Sequence, residues 1–195
     1  MEMIKVDPTY ETMIENKALK ERTLVLNDYV DMINIYKITY YMDKIKRYDD
    51  ANGIEDKYII IEISSGGGSC TDGQFLMSKM RKFSEEYGYK IITRINSYAY
   101  SMGFMIFIMG DEREMYRYSE AMYHDCSLYI QKSMKSDEIR DLDEYMKRSW
   151  EVFKKIILER TKISEEDLDN AKKCKLDVFL NAEECVELGV ATKII

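Results

Sequence analysis

The sequence predicts an α/β fold, and three observations carry that reading. "KYIIIEIS" (residues 57–64) is a near-continuous β-branched run, the composition of a strand covered on both faces of a parallel sheet. It passes through "GGGS" into the helical stretch "TDGQFLMSKMRKFSEEYG" and then a second strand-like run, "KIITRIN". Strand, glycine turn, helix and strand in that order is βαβ logic, from which a right-handed crossover follows. Finally, 195 residues with no internal repeat and no Ser/Gly/Pro-rich linker suit one domain with a sizeable core, with or without a projecting element.

The elements follow in chain order. Residues 1 to about 20 are polar and poorly periodic and read as an arm that is mobile or depends on a partner. "RTLVLND" reads as a strand. In "MINIYKITYYMDKIKRY" the residues Ile33, Ile35, Ile38, Tyr41, Met42 and Ile45 recur at helical spacing. After "KIITRIN" comes "SYAYSMGF", where a strand ends and a helix begins, and "SEAMY" is a short extended piece ahead of His124. The last third is helical. Ser136 can cap a helix whose first turn carries Asp137 and Glu138, both favourable near the positive end of the macrodipole. Ile139, Leu142, Met146, Phe153 and Ile157 hold one face of that helix, whose length suggests a projecting or interface element. "SEED" and "NAEE" each offer a capping box, Ser164 with Asp167 and Asn181 with Glu184, and Gly189 stops the last helix before a final strand, "VATKII".

Composition excludes several classes of function. A net charge of −7 argues against a nucleic-acid surface, which needs clustered Lys and Arg. The longest apolar runs are far shorter than a membrane span, and the acidic start lacks the basic flank and apolar core of a signal peptide. The four cysteines (Cys70, Cys126, Cys174, Cys185) form no CxxC pair, and one histidine is too few for a zinc site. They read as reduced thiols, and the protein as cytoplasmic.

Candidate chemistry gathers on a few residues. A serine hydroxyl is a poor nucleophile unless a base takes its proton and backbone N–H groups receive the oxyanion. Ser101 stands at a strand-to-helix junction where its neighbours can direct N–H groups into one space, and Gly103 permits close backbone approach. A helix-capping serine satisfies the same local sequence. His124, the only histidine, has the one side chain whose unperturbed pKa lies near neutrality, although a lone histidine also serves as a packed or surface residue. Asp177, ahead of an apolar pair in "KLDVFL", is either a third functional group or a turn acid. Gly66, Gly67 and Gly68 follow a buried strand and complete neither GxxxxGK[ST] nor GxGxxG; an anion-receiving backbone loop or a tight turn needing positive φ accounts for them equally.

Taken together, "SSGGGSCTDG", "YAYSMG", "AMYHDC" and "LDVFLNAEECVELGVATKI" resemble, in order and spacing, the Clp protease proteolytic subunit family. Its pattern runs strand, "NSPGGS", helix, strand, "AASMG", strand, "MIHQP", long helix, then an acid before "F(M/L)SAEEAxxxGLID". The resemblance extends from "KERTLVLN" to the C-terminus. It implies the ClpP/crotonase-like fold, a repeated ββα spiral with a long projecting helix (the handle, about 136–160) on a peptidase domain of residues 21–195, and residues 1–20 as an axial gate or docking arm. Carried over position by position, it implies Ser101 as nucleophile, His124 as base, Asp177 as the acid orienting the imidazole, and the N–H groups of Gly68 and Met102 as oxyanion hole. It further implies a serine endopeptidase without metal or organic cofactor, acting on unfolded proteins or peptides. Homo-oligomeric rings, heptameric or stacked as a tetradecamer, would form the chamber, fed by an AAA+ Clp ATPase that alone consumes ATP, with no nucleic-acid or membrane partner.

The sequence departs from that pattern at named places. The motif proline is Gly66, the alanine before the nucleophile is Tyr100, "QP" after the histidine is Asp125-Cys126, and the glycine-rich lead into the long helix is "LYIQKSMKS". Asp125 puts an extra acid beside the base, where it either raises the imidazole pKa or faces solvent. Three other readings stay open: a crotonase-like acyl-CoA enzyme using the glycine loop for a thioester enolate, a catalytically silent subunit paired with an active paralogue, and a chamberless processing protease.

Overall fold

The computed structural model describes residues 10–127 and 133–195, and strands and helices are interspersed through both stretches. Helix α1 (Tyr10–Lys20) leads into β1 (Thr23–Val30), α2 (Met32–Asn52), β2 (Tyr58–Gly68), α3 (Cys70–Glu85) and β3 (Lys90–Tyr100). Then come α4 (Met102–Ile108), β4 (Glu112–Met115), β5 (Glu120–Tyr123), α5 (Ser136–Arg160), α6 (Glu165–Cys174), β6 (Val178–Asn181), α7 (Ala182–Glu187) and β7 (Lys193–Ile194). Residues 10–20, assigned from sequence to the arm, are helical, with Ala18 buried and Lys17 paired to Glu62 of β2. Residues 1–9 of that arm, and most of "LYIQKSMKS", lie outside the described residues.

The sheet runs β1-β2-β3-β4-β7, every neighbour parallel. Strand β3 divides its far edge: Ile92–Ile95 pair with β4, and Tyr98–Tyr100 pair with β5, which in turn pairs antiparallel with β6. One face of the sheet is the core. Ile59, Ile61 and Ile63 of β2 are fully buried with Leu26, Ile91 and Ile95. Against them pack Ile35, Ile38, Met42 and Ile45 of α2 and Leu76, Met80 and Phe83 of α3. Ile33 instead points to solvent, 65% exposed, because the buried stripe of α2 starts at Ile35 and steps by three and four.

The reverse face is covered as well, with Glu62 of β2 and Glu114 of β4 buried among charged partners. Register there aligns Glu62 with Arg94, Arg94 with Glu114, and Glu114 with Lys193, so charges alternate in sign across four strands. Arg94 lies 2.7 Å from Glu114 and 3.5 Å from Glu62, and Lys193 lies 2.8 Å from Glu114. Opposite charges directly across a ladder are mutually stabilising.

Helix ends follow their local chemistry with two adjustments. Asn181 and Glu184 form the reciprocal capping box of α7, and Gly189, at φ +65°, follows its C-terminus. Ser164 caps α6 by accepting from the Asp167 N–H, but it donates its own hydroxyl to the Asp167 carboxylate, so the return half of the box is not made. Ser136 is the first residue of α5, not its cap. The cap position is Lys135, whose N–H donates to Glu138.

The C-terminal half of α5 is anchored. Trp150, Phe153 and Ile157 are buried, and Arg160 donates to the carbonyls of Ile108 and Gly110 at the C-terminal end of α4, where a cation opposes the helix dipole. Its N-terminal half is not, with Ile139 55% and Tyr145 44% exposed. Among the described residues no helix is long and apolar enough to cross a membrane.

Deepest in the polar structure is Asp49, fully buried near the end of α2, which accepts from both terminal nitrogens of Arg22 (2.6 and 2.7 Å) and from the Tyr89 hydroxyl (2.7 Å). The pairing raises the Arg22 pKa, and burial together with the bond to Asp49 holds the Tyr89 phenol protonated far above the ordinary range. Removing one partner strands a buried charge, so Asp49→Ala is expected to cost about 3 kcal/mol in urea denaturation and Tyr89→Phe about 1 kcal/mol. Equal, small losses would mean that Arg22 is solvated without Asp49.

Candidate active site

Ser101 occupies the single residue between β3 and α4, at φ +53° and ψ −117°. A non-glycine residue held there costs about 1–3 kcal/mol and persists only where its surroundings enforce it. They do so from both sides: the Ser101 N–H donates to Met122 O of β5 (2.9 Å), and its carbonyl accepts from Met105 N–H inside α4 (3.2 Å). The capping reading does not hold, since the hydroxyl makes no bond to the helix it precedes. Instead Oγ lies 2.8 Å from His124 Nε2.

Strand pairing explains that meeting. Tyr100 of β3 stands opposite Met122 of β5, and Tyr123 of β5 opposite Val178 of β6. One step past the last of these pairs, the antiparallel register sets His124 opposite Asp177, at the end where β3 delivers Ser101. His124 Nδ1 is 3.4 Å from Asp177 Oδ1, longer than the bond to serine, and the Asp177 side chain is 57% exposed against 22% for His124. The three sequence candidates are therefore brought together, with the acid held most loosely. Asp125 takes no part in the row: its carboxylate accepts from the Cys126 N–H at 2.8 Å.

The glycine turn is shaped by contact with the serine. Gly67 and Gly68 have φ of +97° and +146°; a Cβ on Gly67 would lie 2.7 Å from Ser101 Cβ and 3.0 Å from Met102 N, and one on Gly68 only 2.4 Å from Val30 O. Gly66 has neither constraint, with open space where a Cβ would go. Gly103 serves close approach as expected, its Cβ position 3.1 Å from Ser65 O. Ser65 was not singled out by sequence. It is fully buried, and its hydroxyl accepts from the Gly67 N–H (3.1 Å), bracing the turn. The only signal for it is the first half of "SSGGGS", which any serine-glycine turn shares.

Tyr100 fits by turning its ring along the sheet, 5.0 Å from Tyr98 and edge-on to Phe179 at 5.6 Å, with its hydroxyl donated to Glu120. Burial and that carboxylate push its pKa up to about 12. The residue before the serine thus clamps the strand that follows the acid.

A cavity of about 460 Å³ opens over Ser101 and His124. Gly68 and Met102 line it beside the serine, its deeper wall is apolar (Met105, Phe153, Ile157), and Cys70 and Cys126 complete one side. Met102 is the first residue of α4, so its N–H has no partner within the helix. Among the described residues no three His, Cys, Asp or Glu side chains gather as a metal-binding group.

The family model for Clp protease matches residues 9–195, nearly the whole chain. The chain belongs to the Clp protease family. With that membership, the mixed α/β architecture is the ClpP/crotonase-like fold, and the protein is a member of a family of proteases. No curated protein matches the chain.

The glycine geometry of this Clp protease family member separates two neighbouring positions. Gly68→Ala is expected to destabilise by about 2 kcal/mol or more, while Gly66→Ala stays within about 1 kcal/mol of wild type, both read by thermal or urea unfolding. Indifference to both would mean that the turn relaxes without cost.

Proposed function

We propose that the protein is a serine endopeptidase in which Ser101, His124 and Asp177 act as a triad. The observation that carries the reading is the 2.8 Å contact between Ser101 Oγ and His124 Nε2, made by a serine held in a costly backbone conformation. With the imidazole proton on Nδ1, facing Asp177, Nε2 is free to accept from the serine hydroxyl as Oγ attacks a peptide carbonyl. The protonated imidazole then delivers that proton to the leaving amine. Water, activated by the same nitrogen, hydrolyses the acyl-enzyme. The N–H groups of Gly68 and Met102, at the cavity wall beside Ser101, are assigned to the developing oxyanion. The apolar depth of the cavity favours an apolar substrate side chain.

Family membership and the outward half of α5 support an oligomer of rings enclosing the sites, in which unfolded polypeptides are cut and to which an ATP-driven unfoldase delivers them. The gate or docking role is assigned to residues 1–20 on the same family ground. A silent subunit would require Tyr100 or Gly66 to spoil the site; Tyr100 packs against Phe179, and Gly66 has room around it.

A fluorophosphonate probe should label wild type and fail on Ser101→Ala and His124→Ala, because either change dissolves the unit that activates the hydroxyl. Equal labelling of Ser101→Ala removes the assignment. Asp177→Asn should slow peptide hydrolysis by about 10²-fold, less than the ~10⁴ of a buried triad acid, since Asp177 is largely in water. Loss below tenfold would assign the orienting role elsewhere.

Assembly has its own test in the uncovered part of α5. Replacing Ile139 and Met146 together with Glu should reduce the particle size measured by light scattering without unfolding the chain, since neither side chain is part of the core. A wild type that is already a monodisperse monomer with full peptidase activity ends the chamber reading and leaves the serine chemistry standing.

A further inference from the structure

Two of the four cysteines, 56 positions apart in sequence, meet in the wall of the Ser101 cavity. Cys70 is the first residue of α3, directly after the glycine turn and Ser69; Cys126 follows His124 by two residues. Both are half-buried free thiols lining the same cavity, close enough for each to shift the other's pKa. The remaining two do not share this setting: Cys174 is exposed on α6, and Cys185 is buried in α7, where burial pushes its pKa up to about 12.

The two thiols are unequal. The hydrogen bond from Cys126 is the main influence bringing Cys70 down to about 7, against the opposing effect of burial. A cysteine at a helix N-terminus is also where a thiolate is favoured. Cys126 is shifted upward by the same bond and by burial. Its place at the start of α3 favours Cys70 as the attacking thiol, with Cys126 beside it.

We propose that Cys70 and Cys126 form a thiol oxidation site in the wall of the Ser101 cavity, at which a low-molecular-weight disulfide converts the pair into an internal disulfide that slows acylation of Ser101. The Cys70 thiolate attacks one sulfur of the disulfide RSSR, forming a mixed disulfide and releasing RS⁻. Cys126 then gives up its proton and attacks the Cys70 sulfur, forming the internal bond and releasing the second RS⁻. The two protein thiols lose two electrons and two protons in all, and RSSR leaves as two RSH.

The consequence for Ser101 rests on the serine-peptidase reading and follows from where the bond sits. An S–S bond of about 2.05 Å is much shorter than any contact between two unbonded thiols. Forming it draws the segment after His124 toward the N-terminus of α3. The base stands two residues from that bond, and a displacement of about 1 Å at a reacting group costs about 10²-fold in rate.

The test is to incubate the reduced full-length protein with glutathione disulfide, alkylate the remaining thiols, and map peptides without reduction. The expected map contains a Cys70–Cys126 cross-linked peptide. Fluorophosphonate labelling should fall at least tenfold from the reduced state and return with dithiothreitol. Cys126→Ser should hold glutathione at Cys70, having nothing to displace it, and Cys70→Ser should gain none at Cys126, each variant compared with its own reduced form. Glutathione on Cys174 alone, with no cross-link, overturns the oxidation site. A cross-link with undiminished labelling overturns its effect on Ser101. Should the reduced protein take no label at all, the serine reading has failed, and the peptide map still decides the dithiol.

Discussion

Strand β5 lies between β3 and β6, parallel to one and antiparallel to the other, and the active-site row depends on that placement. The residues following Tyr100 and Tyr123, and the one preceding Val178, are Ser101, His124 and Asp177. Because side chains alternate along strands and ladders admit only discrete registers, a one-residue slip between β3 and β5 would turn the imidazole away from Ser101, and one between β5 and β6 would turn Asp177 away from the imidazole. Four-residue β5 and β6 are short for such a duty. The ring packing of Tyr100 on Phe179 adds a side-chain lock between β3 and β6, which do not pair directly.

The serine's backbone is the costly part of the arrangement, and its surroundings hold it from several directions. The ladder bond to Met122 fixes the strand side, and α4, every residue of which is buried, fixes the helix side. Arg160 of α5 binds the far end of α4, coupling the anchored half of the long helix to the element that Ser101 begins. On the third side the glycine turn approaches so closely that only hydrogen fits at Gly67, with Ser65 bracing it from below. Strain at a reacting residue is sustained here by a packed core, not by a flexible loop.

The departures from the family motif fall into this frame individually. Tyr100 takes its place in an aromatic row instead of crowding the serine, Asp125 satisfies the next backbone N–H instead of the imidazole, and Gly66 sits where a side chain has room. Cys126 has a different character, because its neighbour in the cavity wall is Cys70. Two substituted positions after the histidine thus give one local turn and one contact with the start of α3.

Much of this was legible in the chain itself. The β-branched run of β2, the glycine triplet, the periodic faces of α2 and α3, the caps at Ser164 and Asn181, and the motifs around Ser101, His124 and Asp177 are local patterns, and local chemistry states them directly. Tertiary structure alone decided what depends on pairing between distant segments. Strand β4 has too few residues to show a period, the charge row Glu62–Arg94–Glu114–Lys193 exists only in register, and Ile33 and the first half of α5 are exposed because, among the described residues, no element lies over them. Whether Ser101 capped a helix or faced an imidazole was equally undecidable from "YSMG". The same four residues permit both, and the choice belongs to β5, whose residues pair with β3 twenty-two positions earlier and with β6 fifty-five to sixty-one positions later.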